Sequence, residues 1–339
     1  MIENILVVGP AWVGDMVMSQ TLYKTLKQEY PHANIDVIAP KSSRVVLDFM
    51  PEVRNAIALD IAHGEFAWRK RRQLGKQLLG QYDWAICTVN SWKSALVPFF
   101  AKVARRTSWL GEQRYLLLND HRKLVGEEYP LMIDRFAALA YPAGTPVPKQ
   151  QPWPKLVVEA EAVDATLKSL GLHKTERPIL ALCPGAEFGP AKRWPAEYYA
   201  EVAKQKIADG WDVWLFGSPK EADAADIIQQ QTDNACTNIV GKTNLSQAIQ
   251  LMSIASAAVC NDSGLMHVAG ALSIPLVVVY GSTTPKFTPP LSLKLASLTL
   301  ELPCSPCFKR ECPLQHMNCL NQLMPVQVID ALASFQDEE

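Results

Sequence analysis

The 339-residue sequence has no long uncharged apolar run, and its formal net charge is only −1. Its apolar runs, such as 274–280, are far shorter than the roughly 18 residues of a membrane-spanning helix. The near-zero net charge argues against a protein that coats nucleic acid by general basicity. The first ten residues do not show the basic and apolar regions of a signal peptide, so we expect a cytoplasmic protein.

Two common ligand-binding motifs are also missing. The loop after the first predicted strand reads Gly9-Pro-Ala-Trp-Val-Gly14 instead of G-x-G-x-x-G, and no acidic residue closes the second predicted strand. This argues against an NAD-dependent oxidoreductase. No D-x-D sequence occurs, so a metal held by carboxylates on a diphosphate is not expected. Cations and helix dipoles would then have to stabilise a leaving diphosphate.

Short apolar segments alternate with helical stretches, which predicts βαβ units and parallel sheets. Predicted strands are 5–8, 35–39, 56–59, 84–89, 179–183, 213–216, 257–260 and 276–280. Five prolines between 141 and 154 predict a linker. We therefore predict an α/β protein of GT-B architecture, in which two Rossmann-like domains face each other across a cleft. The predicted boundaries are 1–150 and 151–325, with a C-terminal helix at 326–339.

Asp15 follows the first strand and starts the first predicted helix, beside Gly14. A carboxylate at the carboxyl end of a strand is placed to accept the proton of a sugar hydroxyl as a general base. An acidic residue in the first turn is also typical of an ordinary helix start, where it complements the dipole. The residue alone leaves both interpretations open.

The segment from Pro184 to Pro195 combines a glycine-rich turn with two cations before a helix. Backbone N–H groups near Gly185 and Ala186, together with Lys192 and Arg193, suit a diphosphate. The alternative is a proline–glycine turn with solvated cations.

Two further strand ends carry candidate ligand contacts. Asp262, Ser263, Gly264 and His267 follow one strand and suit sugar hydroxyls and phosphates; Asp262 and Ser263 are also ordinary N-cap residues. After another strand, the segment Gly217-Ser218-Pro-Lys-Glu221 suits a nucleoside, with the carboxylate on the ribose. A surface carboxylate at a helix start is the alternative for Glu221.

The first half contains a concentrated basic region. Between 61 and 125 there are 12 Lys or Arg and 4 Asp or Glu, a difference of +8. Such a region suits a polyanionic acceptor or an anionic membrane surface, and three tryptophans are interspersed with it. Solvated helix faces and core tryptophans are the alternative.

The eight cysteines fall into two groups. Cys87, Cys183 and Cys260 lie in apolar runs and are predicted to be reduced core thiols. Near the C-terminus the spacing C-x2-C-x4-C-x6-C leaves three alternatives open: a structural zinc or iron–sulfur site, disulfide or redox pairing, or free thiols. The four residues are Cys304, Cys307, Cys312 and Cys319. No role in a transfer reaction is evident from their spacing.

Together and in this order, these motifs resemble glycosyltransferase family 9, and within it the heptosyltransferases that add a second heptose. The resemblance extends from residue 5 to about 290. It is carried by four strings and by 287–292: Gly9-Pro-Ala-Trp-Val-Gly-Asp-Met-Val-Met-Ser-Gln20, Ser94-Ala-Leu-Val-Pro-Phe-Phe100, Cys183-Pro-Gly-Ala-Glu-Phe-Gly-Pro-Ala-Lys-Arg-Trp-Pro195 and Asn261-Asp-Ser-Gly-Leu-Met-His267.

The resemblance implies an acceptor-binding first domain and an ADP-heptose-binding second domain, with no cofactor required for transfer. It implies inverting transfer of L-glycero-D-manno-heptose onto the first heptose of the lipopolysaccharide inner core. By analogy Asp15 is the base, Lys192 contacts the diphosphate, and Asp262, Gly264 and His267 line the donor. The basic run of the first domain, which consists of Arg69, Lys70, Arg71 and Arg72, resembles an acceptor patch, and Gly14 is expected to contact the acceptor as well. Peripheral contact with the cytoplasmic face of the inner membrane is expected, and nucleic acid is not.

Two alternatives have different signatures. Another enzyme of this fold, such as a different heptosyltransferase or a sugar-nucleotide epimerase, would use a different acceptor or none. A non-catalytic sensor would bind the sugar nucleotide without turnover.

Overall fold

In the computed structural model, which describes residues 2–61 and 65–335, the chain forms two compact units, Met1–Lys155 and Leu156–Glu339. Each unit is built on one six-stranded sheet in which all the paired strands are parallel. Parallel sheets need helices on both faces, which explains why most strands read as short, continuous apolar runs.

The sheet of unit 1 has the strand order β3-β2-β1-β4-β5-β6. Its strands are β1 (Asn4–Val8), β2 (Asn34–Pro40), β3 (Asn55–Leu59), β4 (Trp84–Cys87), β5 (Arg105–Trp109) and β6 (Asp120–Arg122). The chain moves outward in opposite directions from β1 and β4. The space above their carboxyl ends is therefore the topological switch point, where open α/β sheets bind ligands.

The helices of unit 1 begin with the 17-residue α1 (Val13–Glu29), which has Asp15 in its first turn and Lys27 in its last. These charges complement the helix dipole. The other helices of the unit are α2 (Lys41–Arg44), α3 (Trp68–Gln77), α4 (Leu96–Phe100) and α5 (Met132–Ala137).

The sheet of unit 2 has the order β12-β11-β10-β7-β8-β9, so its switch point lies between β7 and β10. Its strands are β7 (Ile179–Cys183), β8 (Asp212–Leu215), β9 (Thr237–Asn238), β10 (Ala257–Asn261), β11 (Leu276–Val279) and β12 (Leu295–Leu298). Leu180, Leu182 and Val259 of the central strands are fully buried in the core of this unit.

In unit 2, one helix follows each of the two switch-point strands, β7 and β10, along the chain. The full set is α6 (Ala160–Ser169), α7 (Ala196–Ala208), α8 (Ala222–Gln231), α9 (Leu245–Met252), α10 (Gly264–Ala271), α11 (Asn318–Asn321) and α12 (Pro325–Ser334). The helix predicted at 326–339 corresponds to α12. Positions 336–339 of that prediction lie outside the described residues. Within 2–61 and 65–335, no helix combines the length and the apolar character needed to cross a bilayer.

Cys87, Cys183 and Cys260 are buried and free, as predicted. Cys183 and Cys260 are register partners on β7 and β10. Burial raises the pKa of the Cys87 thiol to about 12, so it stays protonated at neutral pH.

Candidate active site

The first candidate site lies above the carboxyl ends of β7 and β10, and we call it the unit 2 edge. It comprises 184–194, 217–221, 261–267 and 281–283. Asn261 ties its segments together from a fully buried position. Its Nδ2 donates to Pro184 O at 2.6 Å, and its Oδ1 accepts from Trp194 N at 3.1 Å. The loop after β7 is thereby held against the loop after β10.

A charged cluster centres on Asp262, the first residue after β10. Its Oδ2 accepts from Lys192 Nζ at 2.5 Å and from Thr283 Oγ1 at 2.5 Å. The side chains of Asp262 and Lys192 are only 10% and 14% exposed. Sequence reasoning singled out both members of the ion pair but not the contact between them, and it missed Thr283, because neither the contact nor the hydroxyl follows from any local motif.

Polar groups at the start of α10 flank this cluster. Ser263 is the N-cap residue, yet its side chain makes no capping bond. Its Oγ is buried and has no hydrogen-bond partner within the described residues. His267, one turn further, is buried beside the cluster. Burial and, secondarily, the charge of Lys192 lower its pKa to about 4, against the opposing effect of Asp262. His267 is therefore neutral at pH 7.

Glu221 occupies the neighbouring strand end. Its Oε2 accepts from Ser218 N at 2.8 Å and from Ser218 Oγ at 2.7 Å. A Cβ on Gly185 would lie 2.8 Å from Glu221 Cδ, and one on Gly217 would lie 2.9 Å from Glu221 Cβ. Both glycines are thus needed for this close packing. Next to them, Arg193 Nε donates to Ala186 O at 3.2 Å. The structure brings the predicted residues of all three strand ends together.

The second candidate site is the carboxyl end of β1 and β4 in unit 1, which we call the unit 1 edge. Asp15 lies there in the first turn of α1, next to the buried Gly14. Within the described part of the chain no hydrogen bond or ion pair engages its carboxylate. Burial raises its pKa above the ordinary value for aspartate. A partly desolvated carboxylate with a raised pKa is a stronger base than an ordinary aspartate.

The predicted basic run of α3 is split by the structure. Arg71 is 4% exposed, and its guanidinium donates to Phe66 O and Lys93 O at 2.8 and 3.2 Å. Arg69 and Arg72 are exposed and line a shallow pocket with Trp68 and Lys76. Lys70 is also exposed, although its Nζ donates to Asp60 O. Backbone carbonyls thus already occupy the guanidinium of Arg71, which holds the loops under α3 together.

Other members of the +8 region are also used internally. Arg114 is fully buried and donates to Val89 O, Ser94 Oγ and Trp109 O at 2.8, 2.9 and 2.6 Å. It fixes the loops that follow β4 and β5 at the unit 1 edge. The sequence shows an arginine at this position, but it does not predict that the side chain is buried.

The C-terminal cysteines are free thiols in the structure. Across the described ranges, no three or more His, Cys, Asp or Glu side chains form a group that would hold a metal ion. The structure therefore gives no support to the zinc or iron–sulfur alternative. Hydrogen bonds from backbone N–H groups, first among them Met317, lower the pKa of Cys312. Burial first, and then the other three thiols, raise the pKa of Cys319.

Comparisons with known proteins identify the family and the fold. The model of glycosyltransferase family 9 (heptosyltransferase) matches residues 71–318. The chain is 46% identical over 346 residues to lipopolysaccharide heptosyltransferase 2 of Salmonella typhimurium, with 99% of each chain covered. It is 49% identical over 307 residues to the protein of that name from Escherichia coli K12, with 88% of each covered.

A solved structure, that of E. coli ADP-heptose lps heptosyltransferase II, matches with a TM-score of 0.87 at 45% identity. The match covers 99% of this chain and 100% of that one. It confirms the predicted α/β, GT-B fold class, which the two parallel sheets already indicate. The family match spans well over half of the chain and includes every segment of the unit 2 edge. The chain belongs to glycosyltransferase family 9 and is a glycosyltransferase.

Proposed function

We propose that the protein transfers L-glycero-D-manno-heptose from ADP-heptose onto the first heptose of the lipopolysaccharide inner core. The observation that carries this proposal is that the two edges hold different groups of side chains. The unit 2 edge holds the Lys192–Asp262 ion pair, two serine hydroxyls without a partner among the described residues, and the start of α10. The unit 1 edge holds Asp15, whose carboxylate has no hydrogen-bond partner among those residues. The relatives at 46% and 49% identity are named lipopolysaccharide heptosyltransferase 2, which supports heptose as the sugar and lipopolysaccharide as the acceptor. The isomer of the heptose and its position in the inner core follow from the family resemblance.

The unit 2 edge suits the donor. The N-terminus of α10 offers free N–H groups and a positive dipole to phosphate oxygens, and Ser263 Oγ is an additional donor without a partner. Lys192, which pairs with Asp262, and Arg193, which donates to Ala186 O, add positive charge to this edge, and Gly264 begins α10 there. Asp262 accepts hydrogen bonds from heptose hydroxyls, and neutral His267 donates or accepts one without adding charge.

The nucleoside part fits the adjoining strand end. Gly185, Ala186 and Gly217 present backbone at close range, and Ser218 fixes the Glu221 carboxylate. Oε2 of Glu221 is engaged by Ser218, which leaves Oε1 to accept from the ribose hydroxyls.

The reaction is a single displacement with inversion. The carboxylate of Asp15 takes the proton of the acceptor hydroxyl while that oxygen bonds to the anomeric carbon of the donor heptose. The bond from the anomeric carbon to the diphosphate oxygen breaks, and ADP leaves with the electron pair. Lys192 and helix N–H groups stabilise the developing negative charge. No metal takes part in this scheme, and the four C-terminal cysteines have no chemical step in it.

The acceptor and its membrane fit unit 1. Arg69, Lys70 and Arg72 are exposed cations for acceptor phosphates or carboxylates, and Arg71 positions the helix that carries them. Nearby, Phe66, Trp68 and Trp92 stack with ring centres 5.9–6.3 Å apart. Phe66 and Trp68 remain 48% and 40% exposed. Aromatics beside cations are typical of a peripheral contact with an anionic bilayer, here the cytoplasmic face of the inner membrane.

The membrane contact is tested by co-sedimentation with vesicles that contain anionic phospholipid, beside vesicles of neutral lipid. We expect binding to the anionic vesicles that weakens when Trp68 is replaced by Ser and when salt is raised. Equal recovery with both vesicle types would remove this part of the proposal.

The activity is tested with ADP-heptose and two acceptors, one carrying a single core heptose and one carrying none. We expect turnover only with the first. Turnover with the second would indicate a different heptosyltransferase. Interconversion of the sugar nucleotide without acceptor would indicate an epimerase, and binding without turnover on either acceptor would indicate a sensor.

A further inference from the structure

The cysteine-rich segment that ends at Cys319 is attached to the unit 2 edge by its backbone. Ala191 N donates to Arg310 O at 3.0 Å, Ser282 N donates to Ala191 O at 3.0 Å, and Phe308 N donates to Ser282 O at 2.7 Å. These three bonds join the turn that carries Lys192, the loop that carries Thr283 and the cysteine-rich segment at one point. The segment is therefore a wall of the candidate donor site.

The contact is too close for any residue but glycine at position 189. A Cβ on Gly189 would lie 2.5 Å from Arg310 O and 3.1 Å from Arg310 Cβ. Arg310 O is a backbone atom that is held by Ala191, so it has little freedom to retreat. The glycine of the Gly-Pro-Ala-Lys turn thus fits the backbone of Arg310.

The side chain of Arg310 shares an aromatic surface with Lys192. The guanidinium carbon of Arg310 lies 5.4 Å from the centre of the Phe188 ring, and Lys192 Nζ lies 4.9 Å from the same centre. Both distances fall in the range of cation–π contacts. Phe188 therefore holds two positive groups on one rim of the site.

The cations on this rim differ in whether a carboxylate already pairs with them. Lys192 is neutralised by Asp262, and Lys220 pairs with Glu187 at 2.5 Å. Arg310 is exposed, and within 2–61 and 65–335 no carboxylate lies at ion-pair distance from its guanidinium. A donor diphosphate carries two negative charges, and Lys192, one of the cations proposed for it, is already paired with Asp262. A guanidinium fork matches phosphate oxygens in shape as well as charge.

We propose that the Arg310 side chain binds the diphosphate of the donor as a further cation, in addition to Lys192 and Arg193. This rests on the proposed ADP-heptose function of the unit 2 edge. Ser282, which lies at the junction, has a buried Oγ without a partner among the described residues and adds a hydroxyl donor there. The cysteine-rich segment thereby acquires a role in donor binding that does not depend on the state of its thiols.

Replacement of the side chain separates this role from support of the loop. The loop bond uses Arg310 O, which every substitution keeps. ADP affinity is measured by calorimetry on wild type, Arg310→Ala, Arg310→Lys and the control Lys309→Ala, which removes a neighbouring exposed cation. Adenosine, which has no phosphate, is measured by its displacement of ADP.

We expect Arg310→Ala to weaken ADP binding about 10-fold and to leave adenosine binding within about 2-fold of wild type. Arg310→Lys should recover part of the loss, and Lys309→Ala should match wild type. Unchanged ADP affinity in Arg310→Ala, or an equal loss for ADP and adenosine, would overturn the proposal. If wild type itself does not bind ADP, the proposed function fails, and the inference fails with it.

Discussion

The two edges lie on sheets with the same strand order, but their carboxylates are in opposite environments. At the unit 2 edge Asp262 is bound by Lys192 and Thr283, and Asn261 locks the surrounding loops. At the unit 1 edge Asp15 has no such partner within the described residues, and burial raises its pKa. A carboxylate that is already held by a cation and a hydroxyl on one oxygen is a poor base, while its other oxygen can still accept a hydrogen bond from a ligand. This contrast supports the proposal that unit 2 binds the donor and that unit 1 carries the base.

The largest expected effect comes from removal of the base. Asp15→Asn keeps the shape of the side chain but not its ability to take a proton, so kcat should fall about 10²–10⁴-fold. Steady-state assays with ADP-heptose and the one-heptose acceptor measure this. Asp15→Glu, which retains a carboxylate, is the matched control and should retain more activity than Asp15→Asn. Equal activity of Asn and Glu variants would contradict the base assignment.

A smaller but broader effect is expected at Lys192. Lys192→Met leaves Asp262 with only the Thr283 hydroxyl, so the free energy of unfolding should fall by about 3 kcal/mol. ADP affinity should fall as well, because the cation is lost. The double variant Lys192→Met/Asp262→Asn removes the unpaired charge and should regain stability but not ADP affinity. Denaturant unfolding and calorimetry separate the two losses, and stability that does not recover in the double variant would argue against the ion pair.

The pH dependence should distinguish the edges without changing the size of any side chain. The base form of Asp15 is lost as pH falls through its raised pKa, so kcat/KM should decline at a higher pH than an ordinary aspartate would cause. Affinity for ADP-heptose should stay flat from pH 8 down to about pH 5, because His267, with a pKa of about 4, remains neutral there. An acid limb that persists in Asp15→Asn would assign it to another group.

The smallest effect is expected from Gly185→Ala. The new Cβ would lie 2.8 Å from Glu221 Cδ, whose carboxylate is held by Ser218. Because the end of a side chain gives way more easily than backbone, we expect a few-fold loss of ADP affinity and nearly unchanged stability. Gly126→Ala, whose added Cβ would come no closer than 3.6 Å to any atom, is the control and should match wild type.

Much of the fold followed from the sequence because buried parallel strands are apolar on both faces. Strands such as Ile179–Cys183 were predicted with the observed bounds. Four of the strands that the structure describes were missed: β5, which lies next to an edge strand, and the edge strands β6, β9 and β12. In β5, Arg105 pairs with Asp120 and lies over the Trp84 ring, so a polar sequence forms a strand through contacts that only the folded chain provides.

The candidate site divides in the same way. The strand ends that carry Lys192 and Asp262 were visible as motifs, whereas the ion pair between residues 70 positions apart required the sheet order. Thr283 and Arg310 had no local signal. The cysteines near Arg310 suggested a separate metal site, but the backbone of their segment packs against the turn at Gly189.

The central claim is that unit 1 carries the base and unit 2 binds the donor. The most direct test measures both turnover and ADP affinity of Asp15→Asn. We predict that kcat falls at least about 100-fold while the Kd for ADP stays within about 2-fold of wild type. Turnover at the wild-type rate, or a loss of ADP affinity that matches the loss of turnover, would contradict the assignment of proton transfer to unit 1 and donor binding to unit 2.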